Sequence, residues 1–364
     1  MKIIHITGMS PLSPNSGIPA VLKQLTEAQN KICGVESIVL SLKGNVDDID
    51  SSHFYFLGDS SVLSFLNEHK PDVAIIHSFY HAEYIEVARA LVKKKIPFYI
   101  EPHGSFGHHA MNKSKIKKII ANLTVFRQQI KQSCGYIFTN KAEQEDSVYR
   151  TDNDLIIPNG VLPDIVKGSS TKSIATCKNP ILYFLGRFDI HHKGLDFLFD
   201  ALDILEGEGK CLSIRIYGIG NEKQNCFVNR RIKKYRNMHV LNCGIIYGAE
   251  KKVALESCNI LLLTSRYEGS PMTVLDGFSY GNPCIVTPGT NVSEEAVEND
   301  IGWKTELDAD SIAKTIIQAI EMYKNDSRGY YERCKKYVLE KYSWDRIAQY
   351  SIKKLTNKKV LEVY

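Results

Sequence analysis

The chain has 364 residues, a formal net charge of +5, 43% hydrophobic and 24% charged residues, which suffices for two ordinary domains with large cores. No apolar run approaches the ~20 residues that a membrane-spanning helix needs, and the mild positive balance suggests an anionic ligand or surface without requiring one. The nine cysteines are odd in number and scattered without CxxC spacing, so they read as reduced thiols of a cytoplasmic protein rather than as disulfides or a zinc site.

Met1-Lys-Ile-Ile-His-Ile-Thr7 is too short for a signal peptide and reads as a first strand. Further strands are expected at Ser37–Ser41, Val73–His77, Phe98–Glu101, Tyr136–Phe138 and Leu155–Pro158. After a polar interval, more follow at Ile181–Leu185, Ser213–Tyr217, His239–Asn242, Asn259–Thr264 and Cys284–Thr287. Helical periodicity fills Ile18–Lys31, Val62–His69, Gly194–Leu205 and Ser311–Tyr323. Strands alternating with helices predict an α/β chain of two doubly wound domains. The boundary falls in 162–179, rich in Lys, Ser and Thr and poor in periodicity. No internal repeat, heptad run or low-complexity segment stands out.

Several strand ends carry chemistry. Glu101-Pro-His103-Gly104 follows an apolar strand and puts the His103 imidazole in the crevice where open α/β sheets bind ligands; His108 and His109 read as loop residues. Met111–Lys131 carries six cations, no acid, and apolar residues at helical spacing (Ile116, Ile119, Ile120, Leu123, Phe126). It is read as one basic amphipathic helix, either with its apolar face in the core or docked on an anionic membrane surface. Nothing there suggests nucleic acid: aromatics are not interleaved with the basic residues.

The next apolar strand ends in Gly186, with Arg187 and Lys193 flanking the loop before a helix at Gly194. A guanidinium can grip a diphosphate as a fork and an ammonium as a point charge. Further on, the run Asn259–Thr264 leads into Arg266-Tyr-Glu268-Gly269-Ser270-Pro271-Met272. Pro271 suits a first helical turn. Glu268 therefore sits at a strand end, Asp276 lies in the following helix, and the amides of Gly269, Ser270 and Met272 point toward the crevice, where a helix N-terminus favours phosphate or sugar oxygens. The plain alternative is that these acids are solvated charges on a strand–helix connection. Ser343 is a plausible N-cap for a last helix, with Trp344 as packing anchor.

The stretch 266–281 resembles the nucleotide-proximal signature of GT-B glycosyltransferases of the retaining family 4 type (glycosyl transferases group 1), in which a Glu, a Gly-rich turn and a second Glu follow one another; here the second acid is Asp276. Pro158-Asn159-Gly160-Val161 matches a segment before the family's inter-domain linker. The resemblance implies GT-B architecture, two Rossmann-like domains facing a deep inter-domain cleft. It places an acceptor-side domain at 1–165, with a helix at 343–364 crossing back onto it, and a donor-binding domain at 166–342. It further implies that Arg187 and Lys193 hold the donor diphosphate without a bound metal, and that His103 lines the donor sugar. Glu268 would orient the sugar or brace an oxocarbenium-like state, and Asp276 would take the ribose. Gly17 and Gly186 would approach the donor, and the base would lie near Ile246.

The expected activity is transfer of a hexosyl group from a nucleotide diphosphate sugar, UDP favoured over GDP, to a hydroxyl of a glycan or lipid-linked acceptor, with retained configuration. Surface polysaccharide such as O-antigen or capsule is the expected pathway, in the cytoplasm or at the inner face of the cell membrane, with no cofactor and no metal. The rivals are a nucleotide-sugar epimerase of the same architecture, a non-catalytic nucleotide-sugar-binding partner in a polysaccharide assembly complex, and a membrane-tethering protein.

Overall fold

The computed structural model describes residues 1–9, 17–43, 52–112, 115–161, 179–268 and 272–356. The chain divides into two compact units, Met1–Gly160 together with Ser343–Tyr364, and Val161–Tyr342.

In the first unit, β1 (Lys2–Thr7), β2 (Glu36–Ser41), β3 (Phe54–Phe56), β4 (Val73–His77), β5 (Phe98–Glu101), β6 (Gly135–Phe138) and β7 (Leu155–Ile156) form a parallel sheet. Its order is β3-β2-β1-β4-β5-β6-β7. In the second unit, β8 (Ile181–Leu185), β9 (Ser213–Tyr217), β10 (His239–Gly244), β11 (Ile260–Leu263), β12 (Cys284–Val286) and β13 (Gly302–Lys304) form another, ordered β10-β9-β8-β11-β12-β13. Each sheet winds outward from a central pair, β1/β4 or β8/β11, and reverses direction there. That is the Rossmann-like topology, with its ligand crevice at the carboxyl ends of the central pair.

Both sheets are covered on two faces, which is why their strands read as unbroken apolar runs. In the second unit, Leu182, Phe184, Ile260 and Leu262 face one core, and Tyr183, Leu261 and Leu263 face the other. In the first, Ile4, Ile6, Ala74 and Ile76 face one side. The opposite side begins with Ile3, Val73 and Ile75 under helices Gly17–Asn30 and Trp344–Leu355. Trp344 packs against Gly160 so closely that a β-carbon there would lie 2.6 Å from the indole.

Several sequence expectations are corrected. The segment 111–131 is not one continuous helix: it is interrupted at 124–126, between helices Lys115–Leu123 and Arg127–Gln132, with residues of helix His108–Asn112 at its start. Of its apolar stripe Phe126 enters the core, whereas Ile116, Ile119, Ile120 and Leu123 are all exposed. His108 opens a helix rather than sitting in a loop. Two three-residue strands, β3 and β13, escaped a pattern search because such lengths show no alternation. The helix expected at Ser311–Tyr323 runs through Ala309–Tyr342 with a break at Asp326. The units part at Gly160–Val161, just before the polar interval, most of which lies outside the described residues.

Candidate functional site

In the second unit, β8 and β11 are hydrogen-bonded neighbours, so the loops that leave them meet at the reversal point of the sheet. Lys193 Nζ donates to Glu268 Oε1 at 2.6 Å, with side chains only 14% and 9% exposed. Ser265 Oγ donates to the same carboxylate oxygen. Around this pair the two loops are stitched by backbone. Arg266 N donates to His192 O at 2.9 Å, and Thr264 Oγ1 donates to Gly194 O at 3.1 Å. Arg266 grips Asp196 with both terminal nitrogens, at 2.8 and 2.7 Å, and lies 4.6 Å over the Phe197 ring. Asn291 Nδ2 donates to the Glu268 carbonyl at 2.6 Å.

The loop geometry depends on Gly194. Its φ is +60°, and a β-carbon there would fall 1.9 Å from the Thr264 carbonyl oxygen. Only glycine allows both the conformation and the approach. His192 stacks on Tyr267, ring centroids 4.2 Å apart, and donates from Nε2 to the Tyr267 carbonyl at 2.8 Å. Burial, then neighbouring Lys193, lowers its pKa, so the ring adds no charge at neutral pH.

Arg187 follows Gly186 at the end of β8 and is exposed. Among the described residues it has no ion-pair partner within 4 Å, and it stands on the same loop after β8 that carries Lys193. One cation is thus neutralised by the acid and another is available to an anion. The reversal of strand order makes the two loops direct neighbours.

Asp276 lies in helix Met272–Ser279 and receives Lys251 Nζ at 2.5 Å from helix Gly248–Ser257. Met272 opens the first of these helices half-buried, and Ile246 lies half-buried after β10. Gly269, Ser270 and Pro271 lie outside the described residues, as do 10–16; Gly17 opens helix Gly17–Asn30.

The first unit holds its own polar group at the carboxyl ends of its central strands. Thr7 is in register with His77, and His77 with Glu101. In-register residues of adjacent strands face the same side, and so does His5, two residues before Thr7. On this side the apolar face turns polar. His5 Nε2 meets Gln29 Oε1 at 3.0 Å, His5 Nδ1 meets His77 Nε2 at 2.9 Å, and His77 Nδ1 meets His103 Nε2 at 3.1 Å and Glu101 Oε2 at 3.2 Å.

The partners assign the protons. Gln29 Nε2 donates to Ser351 Oγ, which itself donates to Ala348 O, so Gln29 Oε1 faces His5. His5 Nε2 therefore carries hydrogen. Burial lowers the His5 and His77 pKa values to about 3 and that of His103 to about 4, leaving the rings neutral. His5 Nδ1 is then an acceptor, His77 donates to it from Nε2, and the bare His77 Nδ1 faces His103 and Glu101. Burial raises the Glu101 pKa. His77, Glu101 and His103 also have ligand atoms within 4.8 Å of one another, a set able to hold a small cation.

His103 has φ +48° and precedes Gly104 at +78°. Buried Glu143 holds this turn by accepting Gly104 N at 2.8 Å and Thr139 N at 2.8 Å. Tyr84 ties β1 to β4, accepting Gly8 N at 2.7 Å and donating to the His77 carbonyl. Sequence reasoning singled out His103 but missed His5, His77, Glu143 and Tyr84. The available signal was a histidine inside each of two apolar strands.

Residues 170–341 match the family Glycosyl transferases group 1. The lipopolysaccharide 1,6-galactosyltransferase of Escherichia coli K12 is 23% identical over 246 residues, covering 65% of this chain and 61% of the relative. The chain thus spans less than two thirds of that relative's length. Among solved structures, Anabaena HepE in complex with UDP aligns over 98% of this chain and 100% of its own, with a TM-score of 0.71 at 14% identity. TarM aligns over 98% and 99%, with a TM-score of 0.75 at 13% identity. At such identities the likeness speaks for the fold alone, two Rossmann-like α/β domains of the GT-B type.

Proposed function

We propose that the protein is a retaining glycosyltransferase of the GT-B, family 4 type. It would move a hexosyl group from a nucleotide diphosphate sugar, UDP favoured over GDP, to a hydroxyl of a glycan or lipid-linked acceptor in surface polysaccharide assembly. The observation that carries this reading is the contact of Lys193 with Glu268 at the strand-order reversal of the second unit, with Arg187 on the same loop as Lys193. The family match over that unit and the neighbour solved with UDP support it.

In this proposal Arg187 and Lys193 take the charge that builds on the departing β-phosphate, the work a metal would otherwise do. Preorganised charge of this kind is worth about 10²–10³ in rate per group. Glu268, held by Lys193 and Ser265, orients sugar hydroxyls or braces an oxocarbenium-like centre. The amides of Gly269, Ser270 and Met272 hold the sugar beside Pro271, Asp276 takes the ribose, and the base lies near Ile246. His103 keeps the role the resemblance gives it, on the donor sugar.

The test is incubation with UDP- and GDP-hexoses and a panel of hydroxyl acceptors, with product configuration read by NMR. An α-linked product from an α-linked donor supports the proposal. Release of an epimerised sugar from donor alone would make the protein an epimerase. Donor binding without turnover on any acceptor would make it a non-catalytic binding partner.

A further inference from the structure

The short helix Lys115–Leu123 is inside out. Ile116, Ile119, Ile120 and Leu123 recur at helical spacing and are 74%, 44%, 57% and 67% exposed, and Val125 beyond them is 50% exposed. The face turned inward is polar. Asn122 is buried and donates from Nδ2 to the hydroxyls of Tyr80 at 3.1 Å and Tyr149 at 2.8 Å. Lys118 donates to the Ala110 carbonyl at 2.7 Å and lies 4.7 Å over the Tyr80 ring. Buried Met111 and Phe126 pin the chain on either side. An ordinary surface helix turns its aliphatic stripe to the core and its charges to water; here the inward contacts are polar and hold the stripe outward.

The charge around this stripe has one sign. From Pro102 to Ala142 the sequence contains no Asp or Glu, although the chain has 41 of them, and it contains seven Lys and Arg residues. Lys115, Lys117, Arg127 and Lys131 are exposed, and among the described residues none has an ion-pair partner. An apolar stripe bordered by cations matches a lipid surface in both respects: acyl chains for the isoleucines, anionic headgroups for the lysines. A second copy fits poorly, because a two-fold contact through this face would bring like charges together.

We propose that residues 115–125 are an interfacial anchor that seats the protein on an anionic lipid bilayer. The anchor stands independently of the transferase reading. The aliphatic side chains enter the headgroup–acyl boundary, and the flanking lysines reach lipid phosphates with their stems along the apolar surface.

The test is flotation of the full chain with phosphatidylcholine vesicles, pure or with roughly 30% phosphatidylglycerol, at low and raised salt. Wild type floats with the anionic vesicles and at least about tenfold less with the neutral ones. Ile116→Gln/Ile120→Gln and, separately, Lys115→Glu/Lys117→Glu each lower the bound fraction about tenfold without changing the melting temperature. Val253→Gln, at a 65% exposed position elsewhere, leaves flotation unchanged. Wild type that stays at the bottom of the gradient, or isoleucine variants that float as wild type does, overturn the anchor. So does light scattering that finds a dimer which Ile116→Gln/Ile120→Gln converts to monomer, since the face would then belong to self-association.

Discussion

Lys193 and Glu268 stand 75 residues apart in sequence and share a 2.6 Å hydrogen bond that joins the loop after β8 to the loop after β11. The acid therefore occupies the ammonium proposed above for the donor diphosphate. In Glu268→Gln that competition is removed along with one negative charge. UDP affinity is expected to stay level or to rise up to about tenfold, while turnover falls about 10²-fold or more. Calorimetry with UDP and steady-state rates separate the two; a collapse of UDP binding would mean that Glu268 touches the nucleotide itself.

The two cations should fail differently. Lys193→Ala leaves the Glu268 carboxylate, 9% exposed, with Ser265 as its remaining side-chain partner, so stability should drop by about 1–3 kcal/mol along with activity. Arg187 is exposed, and Arg187→Ala should change stability by no more than about 0.5 kcal/mol while turnover falls about 10²-fold. Thermal melts of both variants, run beside transfer assays, check this. Wild-type rates in Arg187→Ala would remove it from the diphosphate role.

Asp276 is held by Lys251 at 2.5 Å through one carboxylate oxygen. The other oxygen is the one proposed for ribose. UDP should then bind more tightly than 2′-deoxy-UDP by about 1 kcal/mol in wild type, and Asp276→Asn should shrink that gap. Equal discrimination in both proteins would place the ribose elsewhere.

The buried imidazoles predict an acid-sensitive fold. His5, His77 and His103 are neutral when folded, with burial pushing them to about 3, 3 and 4, whereas the unfolded rings take up protons near about pH 6.5. The unfolded state thus binds more protons between those values. Stability falls as pH drops below about 6.5 and is unaffected by these rings above it, on the order of 2 kcal/mol for each ring at about pH 5. Glu101 and Glu143, raised by burial, act in the opposite sense and recover part of the loss. Urea midpoints at about pH 5 and 7 should differ clearly in wild type, and His77→Gln should flatten the difference. A pH-independent midpoint would show that the rings are charged, or exposed, in the folded protein.

Much of this was legible because it is local. A charged residue at the end of an apolar run stands out, so Arg187, Lys193 and Glu268 could be picked from sequence. The direct Lys193–Glu268 hydrogen bond could not, because it depends on β8 and β11 becoming neighbours across an intervening pair of strands. The His5–His77–Glu101 group was hidden for the same reason: register, not spacing, brings those side chains to one face. The 111–131 segment shows another limit. Periodicity located an apolar stripe but carried no sign, and only the hydrogen bonds of Asn122 and Lys118 reveal which way it looks.

The helix Trp344–Leu355 supplies Trp344, Ile347, Ala348 and Leu355 to the core that contains Ile3, Val73 and Ile75. Those residues leave the ribosome only after Val161–Tyr342 has been translated. The nascent first unit must therefore wait with that sheet face only partly covered, by helix Gly17–Asn30, until the other unit has been made. A chain released at Tyr342 would keep that apolar face open to chaperones, proteases and aggregation.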